Sequence, residues 1–337
     1  MTGAARSAGP AGDPGRTVES IYAPVRSGLD AVDDNLRALA TESGLLGDAS
    51  LLDHALVSGG KKVRPAVTLL AGASRPGRED ILVTMATAVE LLHIASLIHD
   101  DSVDKAETRR GRRTVSRQWG ENVALLLGDY VFATSAVFVC DTGDIGVVRR
   151  FSETITELAR GELAEQFSIH DWGQSVEAYI QRIYDKTASL FTTAAEAGAR
   201  LSGAPDEEVE AFKSNGYNLG MAFQIMDDVL DFRGTEAELG KPVGADLLQG
   251  ILTLPALLFA AAHPDDRIVR RLREGGTARR DLQAFVKLVR SSSVIDETET
   301  VMDGYRQAAH EALAGLPDTE PHRSLDALTD YIGRRRS

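Results

Sequence analysis

Two stretches of this chain, LLHIASLIHDDSVD and MAFQIMDDVLDF, each carry an apolar helical pattern into three aspartates. Asp100, Asp101 and Asp104 form the first triplet, and Asp227, Asp228 and Asp231 repeat its spacing. At about 100° per residue, the outer members of each triplet share a helix face one turn apart, with the middle one beside them. Like charges so placed repel, and the C-terminal half of a helix is already the negative end of its dipole. Either triplet alone reads equally as a solvated acidic face. Using the same costly device twice makes sense if two helix ends face each other with cations between them. Hard carboxylate oxygens suit Mg²⁺, which holds few protein ligands and completes its octahedron with water and phosphate oxygens. Two such helices would clamp a diphosphate through bridging magnesium.

Basic residues supply the complement. GGKKVRP at 59–65 sets Lys61 and Arg64 three apart after two glycines, and RRGRR places Arg109, Arg110, Arg112 and Arg113 just beyond the first triplet. Guanidinium forks match phosphate oxygens, and Lys186 and Lys241 add point charges. Each is an ordinary surface cation by itself; the combination with two acidic triplets argues for phosphate chemistry.

The remaining pattern is helical. Apolar residues recur at helical spacing over 28–42, 49–57, 65–73, 79–104, 114–140, 146–168, 175–202 and 205–232, with shorter helices to the C-terminus. No Asn-Gly or Asp-Gly hairpin lies between alternating runs, so the fold class is all-α. Residues 1–16 read as a flexible tail without a signal-peptide core, and 17–337 as a single helical domain with no linker or fixed repeat. Residues 233–250, with four glycines and a proline after the second triplet, read as a lid or binding loop. No uninterrupted apolar run reaches the roughly 20 residues of a membrane span. With 37 basic against 50 acidic residues the net charge is −13, which disfavours nucleic acid as a partner. The single cysteine, Cys140, excludes an internal disulfide framework and suits a reducing cytoplasm.

GGKKVRP, ELLHIASLIHDDSVD, RRGRRTV, GDY at 128–130, GELAEQ at 161–166, KTASLF at 186–191, FQIMDDVLD at 223–231 and GKPVGADL at 240–247 occur in that order. In this the chain resembles the trans-isoprenyl diphosphate synthases from about residue 25 onward. The resemblance implies an isoprenoid synthase-type helical bundle around a central cavity, and a homodimer. It implies that Asp100, Asp101, Asp104, Asp227, Asp228 and Asp231 hold about three Mg²⁺ ions, replaceable by Mn²⁺, on an allylic diphosphate. Arg109, Lys186 and Lys241 would bind the oxygens of that diphosphate, and Lys61, Arg64, His93 and Arg110 would bind isopentenyl diphosphate. Thr187 and Gln224 would line the reacting centre, where oxygen dipoles stabilise a developing carbocation. The departing pyrophosphate can take the proton, so no histidine base is needed. His99 reads as structural, and His54, His170, His263, His310 and His322 as surface residues. Departures from the family pattern are Ser102, where an aliphatic residue is usual, and Arg113, where proline is common.

In the family the growing chain descends a tunnel that starts under the first triplet. Its upper wall here is Ala95 and Ser96, both small. A helix rises about 5.4 Å per turn, so Leu92 and Val89 come next, with Phe132 and Phe138 as floor candidates, and a product of roughly six to ten isoprene units is expected. A geranylgeranyl (C20) synthase is the main alternative. A terpene cyclase would usually carry a different second motif, and a non-catalytic partner subunit would lack a triplet. A product this long implies peripheral membrane contact on release.

Overall fold

The computed structural model describes residues 17–42, 49–57, 59–73, 75, 77–234 and 242–334. Lys241, the tail 1–16 and the end of the C-terminal GRRR lie outside the described residues. The expected helices form, and polar caps set several of their starts. Thr17 accepts from the Ser20 N–H at the start of α1 (Val18–Ile21). Asp144 accepts from Gly146 and Val147 N–H at α8 (Ile145–Phe167), and Ser175 from Ala178 N–H at α9 (Val176–Ile183).

Between these, α2 (Arg26–Glu42), α3 (Ala49–Leu56) and α4 (Val63–Gly72) wrap the long α5 (Glu79–Val103). Across α5 lies α7 (Glu121–Asp141), and α10 (Ser189–Leu201) packs between α4 and α11 (Asp206–Arg233). The C-terminal part adds α12 (Ala245–Leu248), α13 (Leu254–Ala262), α14 (Arg267–Arg273), α15 (Arg279–Arg290), α16 (Val294–Leu313) and α17 (Glu320–Gly333). Two apolar clusters result, and α11 belongs to both: Phe212 and Leu219 pack with the α5 cluster, Ile225, Val229 and Phe232 with the α13–α16 cluster. The second acidic triplet thus sits where the two clusters join.

Three features depart from the expected pattern. The stretch 114–140 divides into α6 (Val115–Trp119) and α7 at Gly120, whose φ of 97° suits glycine. A two-residue-per-strand hairpin, β1 (Thr108–Arg109) with β2 (Arg112–Arg113), turns through Arg110 and Gly111. Their φ values of 51° and 74° are the positive pair that a tight two-residue hairpin needs. Arg110 bears the side-chain cost of that conformation while its Nη1 donates to the Gly59 carbonyl. Finally, 175–202 is interrupted by a π-helical turn at Tyr184–Ala188.

Two motif glycines mark close helix approaches. A Cβ at Gly161 would lie 2.5 Å from the Lys186 backbone N, and one at Gly128 2.2 Å from His99 Nε2. These contacts bring α8 against the π turn and α7 against α5 beside the first triplet.

Two helices, α5 and α7, are long and apolar enough by length and composition to cross a membrane, which counting uninterrupted runs had missed. Most of the apolar window of α5 is core, whereas α7 is buried over only a third of its window.

His310 and His322 are not surface residues. His322 is buried against Phe212, and His310 on α16 bonds Asp326 and, at 3.1 Å, Asp330 of α17. The hydrogen bond to Asp326, more than burial opposes it, raises the His310 pKa above 6.5. A raised histidine pKa stabilises the fold fully below the unfolded value and is lost as pH rises through the folded one. Thermal unfolding of His310→Gln should therefore show its largest deficit from wild type near pH 6 and a much smaller one near pH 9, about 1 kcal/mol or more at the acidic end. An equal deficit at both pH values would exclude the ionic contribution.

Candidate active site

The first triplet closes α5. Asp101 is buried, and its Oδ1 accepts from Arg109 Nε at 2.6 Å, which ties the hairpin to the helix. Asp104 is the C-terminal cap, with its backbone N–H on the Asp100 carbonyl. Asp100 faces α8 and the π turn. Burial first, and the negative charge of Glu162 next, push its carboxyl up to about 8. Asp101 and Asp104 are raised for the same leading reason.

Lys186 comes from the π turn and is bracketed by α8, with Nζ 2.7 Å from Glu162 and 2.5 Å from Glu165. Both carboxylates sit three apart on one face of α8, inside GELAEQ. They balance the lysine and raise its pKa against the effect of burial. The next residue, Thr187, donates to Gln224 Oε1 at 2.8 Å. Gln224 Nε2 donates to Asp228 Oδ1 at 3.0 Å, and the buried Tyr179 hydroxyl donates to Asp228 Oδ2 at 2.5 Å. Burial raises Asp228 to about 7 even against these two hydrogen bonds.

The two acidic ends do face each other. A cleft of about 200 Å³ is lined by Asp104, Glu165, Lys186, Thr187, Gln224, Asp228 and Asp246. Asp246 on α12 adds a carboxylate whose charge reaches both Asp104 and Asp228. Among the described residues no three acidic or imidazole side chains close a coordination sphere by themselves. Magnesium needs few protein ligands, and a pair of buried acidic ends pushed towards neutrality is a donor set that such a cation fits.

Asp231 lies in the last turn of α11. It is buried, its Oδ2 accepts from the Asp246 N–H at 3.4 Å, and its carbonyl accepts from Gly244 N–H at 2.8 Å. It anchors the returning end of the 233–250 loop, and Asp228 is the member of its triplet that lines the cleft. Asp227 instead acts electrostatically on Arg64.

A second cavity joins the basic residues. His93, Asp101, Arg109 and Arg110 line it with Glu90 and Lys62. Arg64 stacks 4.5 Å over Phe191, its Nη1 is 3.3 Å from His93 Nε2, and burial lowers its pKa to about 10. His93 is driven well below its ordinary value by burial and by Arg64, so its ring is neutral. Lys61 lines a neighbouring groove, with Nζ 5.8 Å from the Tyr331 ring centroid. Lys62 is left-handed at φ 45°, Tyr22 donates to the Lys61 carbonyl at 2.8 Å, and Lys62 lines both this groove and the basic cavity.

Below Asp100 runs a cavity of about 430 Å³. Leu92, Ala95 and Ser96 of α5 line it, opposite Phe132 of α7, Ile155 and Leu158 of α8, and Leu190 of α10. Val89 is fully buried, and Phe138 packs against the core; neither lines this space.

Known proteins agree with this arrangement. The family model described as polyprenyl synthetase matches residues 49–289. Heptaprenyl diphosphate synthase component 2 of Geobacillus stearothermophilus is 38% identical over 323 residues, covering 94% of this chain and 99% of its own. Nonaprenyl diphosphate synthase of Mycobacterium tuberculosis is 36% identical over 316 residues, with 93% and 94% covered. The crystal structure of a polyprenyl synthase from Caulobacter crescentus CB15, complexed with calcium and isoprenyl diphosphate, superposes with a TM-score of 0.86 at 31% identity over 95% of this chain and 98% of that one. Facing acidic helix ends, a basic cavity beside them and full-length likeness to long-chain synthases converge: this chain belongs to the polyprenyl synthetase family and is a prenyltransferase.

Proposed function

We propose that this enzyme condenses isopentenyl diphosphate with an allylic diphosphate, with Mg²⁺, and extends an all-trans chain to about C30–C50. The observation that carries this reading is the apolar cavity that opens directly beneath Asp100, Lys186 and Thr187 and passes the small Ala95 and Ser96.

Asp100, Asp101, Asp104, Asp227, Asp228 and Asp231 are the residues that would hold magnesium. Bound magnesium supplies positive charge to the leaving pyrophosphate. Arg109 and Lys186 bind oxygens of the allylic diphosphate, Lys186 exchanging part of its pairing with Glu162 and Glu165 for the substrate. Arg64, Arg110 and neutral His93 orient isopentenyl diphosphate so that its double bond meets the allylic carbon. Thr187 and Gln224 turn oxygen dipoles towards the cation that forms there.

Ala95→Phe or Ser96→Tyr should shorten the product by several isoprene units while the first condensation stays within about threefold of wild type, since a filled wall removes volume and not charge. Mass spectrometry of dephosphorylated products, starting from farnesyl or geranylgeranyl diphosphate, checks this. Unchanged product length would remove these residues from the tunnel, and a wild-type product ending at four units would make the enzyme a geranylgeranyl diphosphate synthase.

Asp100→Asn removes a charge whose burial is costly. The folded carboxyl titrates near 8 against an ordinary 3.8, so wild type loses stability as pH rises through that window and the variant does not. In EDTA near pH 8 the variant should melt at or above wild type, while condensation with Mg²⁺ falls by about 10²-fold or more. A lower melting temperature, with activity kept, would contradict the assignment.

An exposed apolar face supports a homodimer that packs through α7 and α8. Leu126, Tyr130, Ala133 and Val137 form an exposed stripe at helical spacing on α7, and Leu163 and Phe167 continue it on α8, Phe167 at 84% exposure. Light scattering should give twice the 36.2 kDa chain mass for wild type and a smaller species for Leu126→Glu. A monomeric wild type would assign the face to a different subunit, in line with the word component in the name of the Geobacillus relative.

A further inference from the structure

His54 lies on α3, where sequence spacing made it a surface residue. It lines the basic cavity instead, and its ring packs edge-on against Trp119 of α6 with centroids 5.1 Å apart. The hairpin engages both ring nitrogens. Nδ1 is 2.8 Å from Nη2 of Arg112, and Nε2 is 2.8 Å from the Arg113 carbonyl oxygen. A guanidinium has no lone pair to offer, so Nδ1 accepts and Nε2–H donates. Two partners of opposite kind thus set the orientation of the ring.

The hairpin is gripped from two sides. Asp101 of α5 holds Arg109 at 2.6 Å. From α3 and the loop after it, the Gly59 carbonyl holds Arg110 and His54 holds Arg112 and the Arg113 backbone. The second grip matters more, because Arg110 sits at φ 51° at the turn and, among the described residues, has no ion pair to fix it. The two grips therefore divide by substrate: Asp101 serves the arginine assigned to the allylic diphosphate, and His54 serves the one assigned to isopentenyl diphosphate.

We propose that His54 is a positioning residue for isopentenyl diphosphate, clamping the far strand of the arginine hairpin so that Arg110 stays in the cavity beside His93. The proposal rests on the prenyl-transfer reading above and does not require His54 to touch substrate. Arg113 contributes through its backbone carbonyl, so the family's usual proline at that position would leave this acceptor in place.

His54→Phe keeps a ring against Trp119 and removes both hydrogen bonds. In steady-state kinetics of the full-length enzyme, its KM for isopentenyl diphosphate should rise about tenfold, equivalent to about 1.4 kcal/mol, with kcat and the allylic KM within about twofold. Inorganic pyrophosphate, titrated calorimetrically without turnover, should bind more weakly by a similar factor. His54→Gln, which reaches one partner and not both, should fall between wild type and His54→Phe, and it carries the test if the phenylalanine variant does not fold. An unchanged isopentenyl KM in an active variant overturns the proposal, and so does an equal loss in kcat and both KM values, the mark of general damage. A wild-type protein that forms no condensation product would overturn the prenyl-transfer reading and this proposal with it, an outcome distinct from an active enzyme with unchanged KM.

Discussion

The arrangement depends on keeping negative charge together in a partly dry place. Asp104, Asp228, Asp246 and Glu165 converge on one cleft, and Asp100 and Glu162 line the cavity next to it. Such a set is tolerable because some of the charge is matched from within the chain: Arg109 on Asp101, and Lys186 between its two glutamates. The rest is relieved by protonation at Asp100 and Asp228, or by a cation. Folding energy must come from elsewhere, and it comes from two apolar clusters that meet along α11. The acidic ends are held by the packing of helices that would, by charge alone, move apart.

Backbone irregularity at the site has a matching logic. The π turn at Tyr184–Ala188 sits where Lys186 and Thr187 must point in adjacent directions, one to α8 and one to α11. Gly161 lets α8 approach that turn closely enough for both glutamates to reach the lysine. The left-handed residues Lys62 and Arg110 stand on opposite sides of the basic cavity, each held by a specific partner.

Helical periodicity and the ordered motifs made the fold class, the facing of the two triplets and the small wall residues Ala95 and Ser96 legible in the sequence. They did so because apolar spacing and like-charge repulsion are local properties. What was not legible depends on backbone sign or on distant partners. The Arg-Gly turn carries no Asn-Gly signature, so the hairpin was invisible. The left-handed backbone at Lys62 helps set which cavities Lys61 and Lys62 line, and no periodicity encodes that. Asp231 has the spacing of a ligand, and its contact with the backbone of a loop 15 residues on has no local signature. Glu162 and Glu165 could have been found from their i,i+3 spacing inside GELAEQ; Tyr179, His54 and Asp246 become visible only once other elements fold against them.

The cavity under the first triplet is walled on one side by α7 and α8, each a single helix thick. Phe132, Ile155 and Leu158 face inward, while Leu126, Val137 and Leu163 on the same two helices face outward. A surface laid against the outer side would therefore lie one helix away from the cavity, and the stiffness of that wall would depend on what the exposed stripe meets.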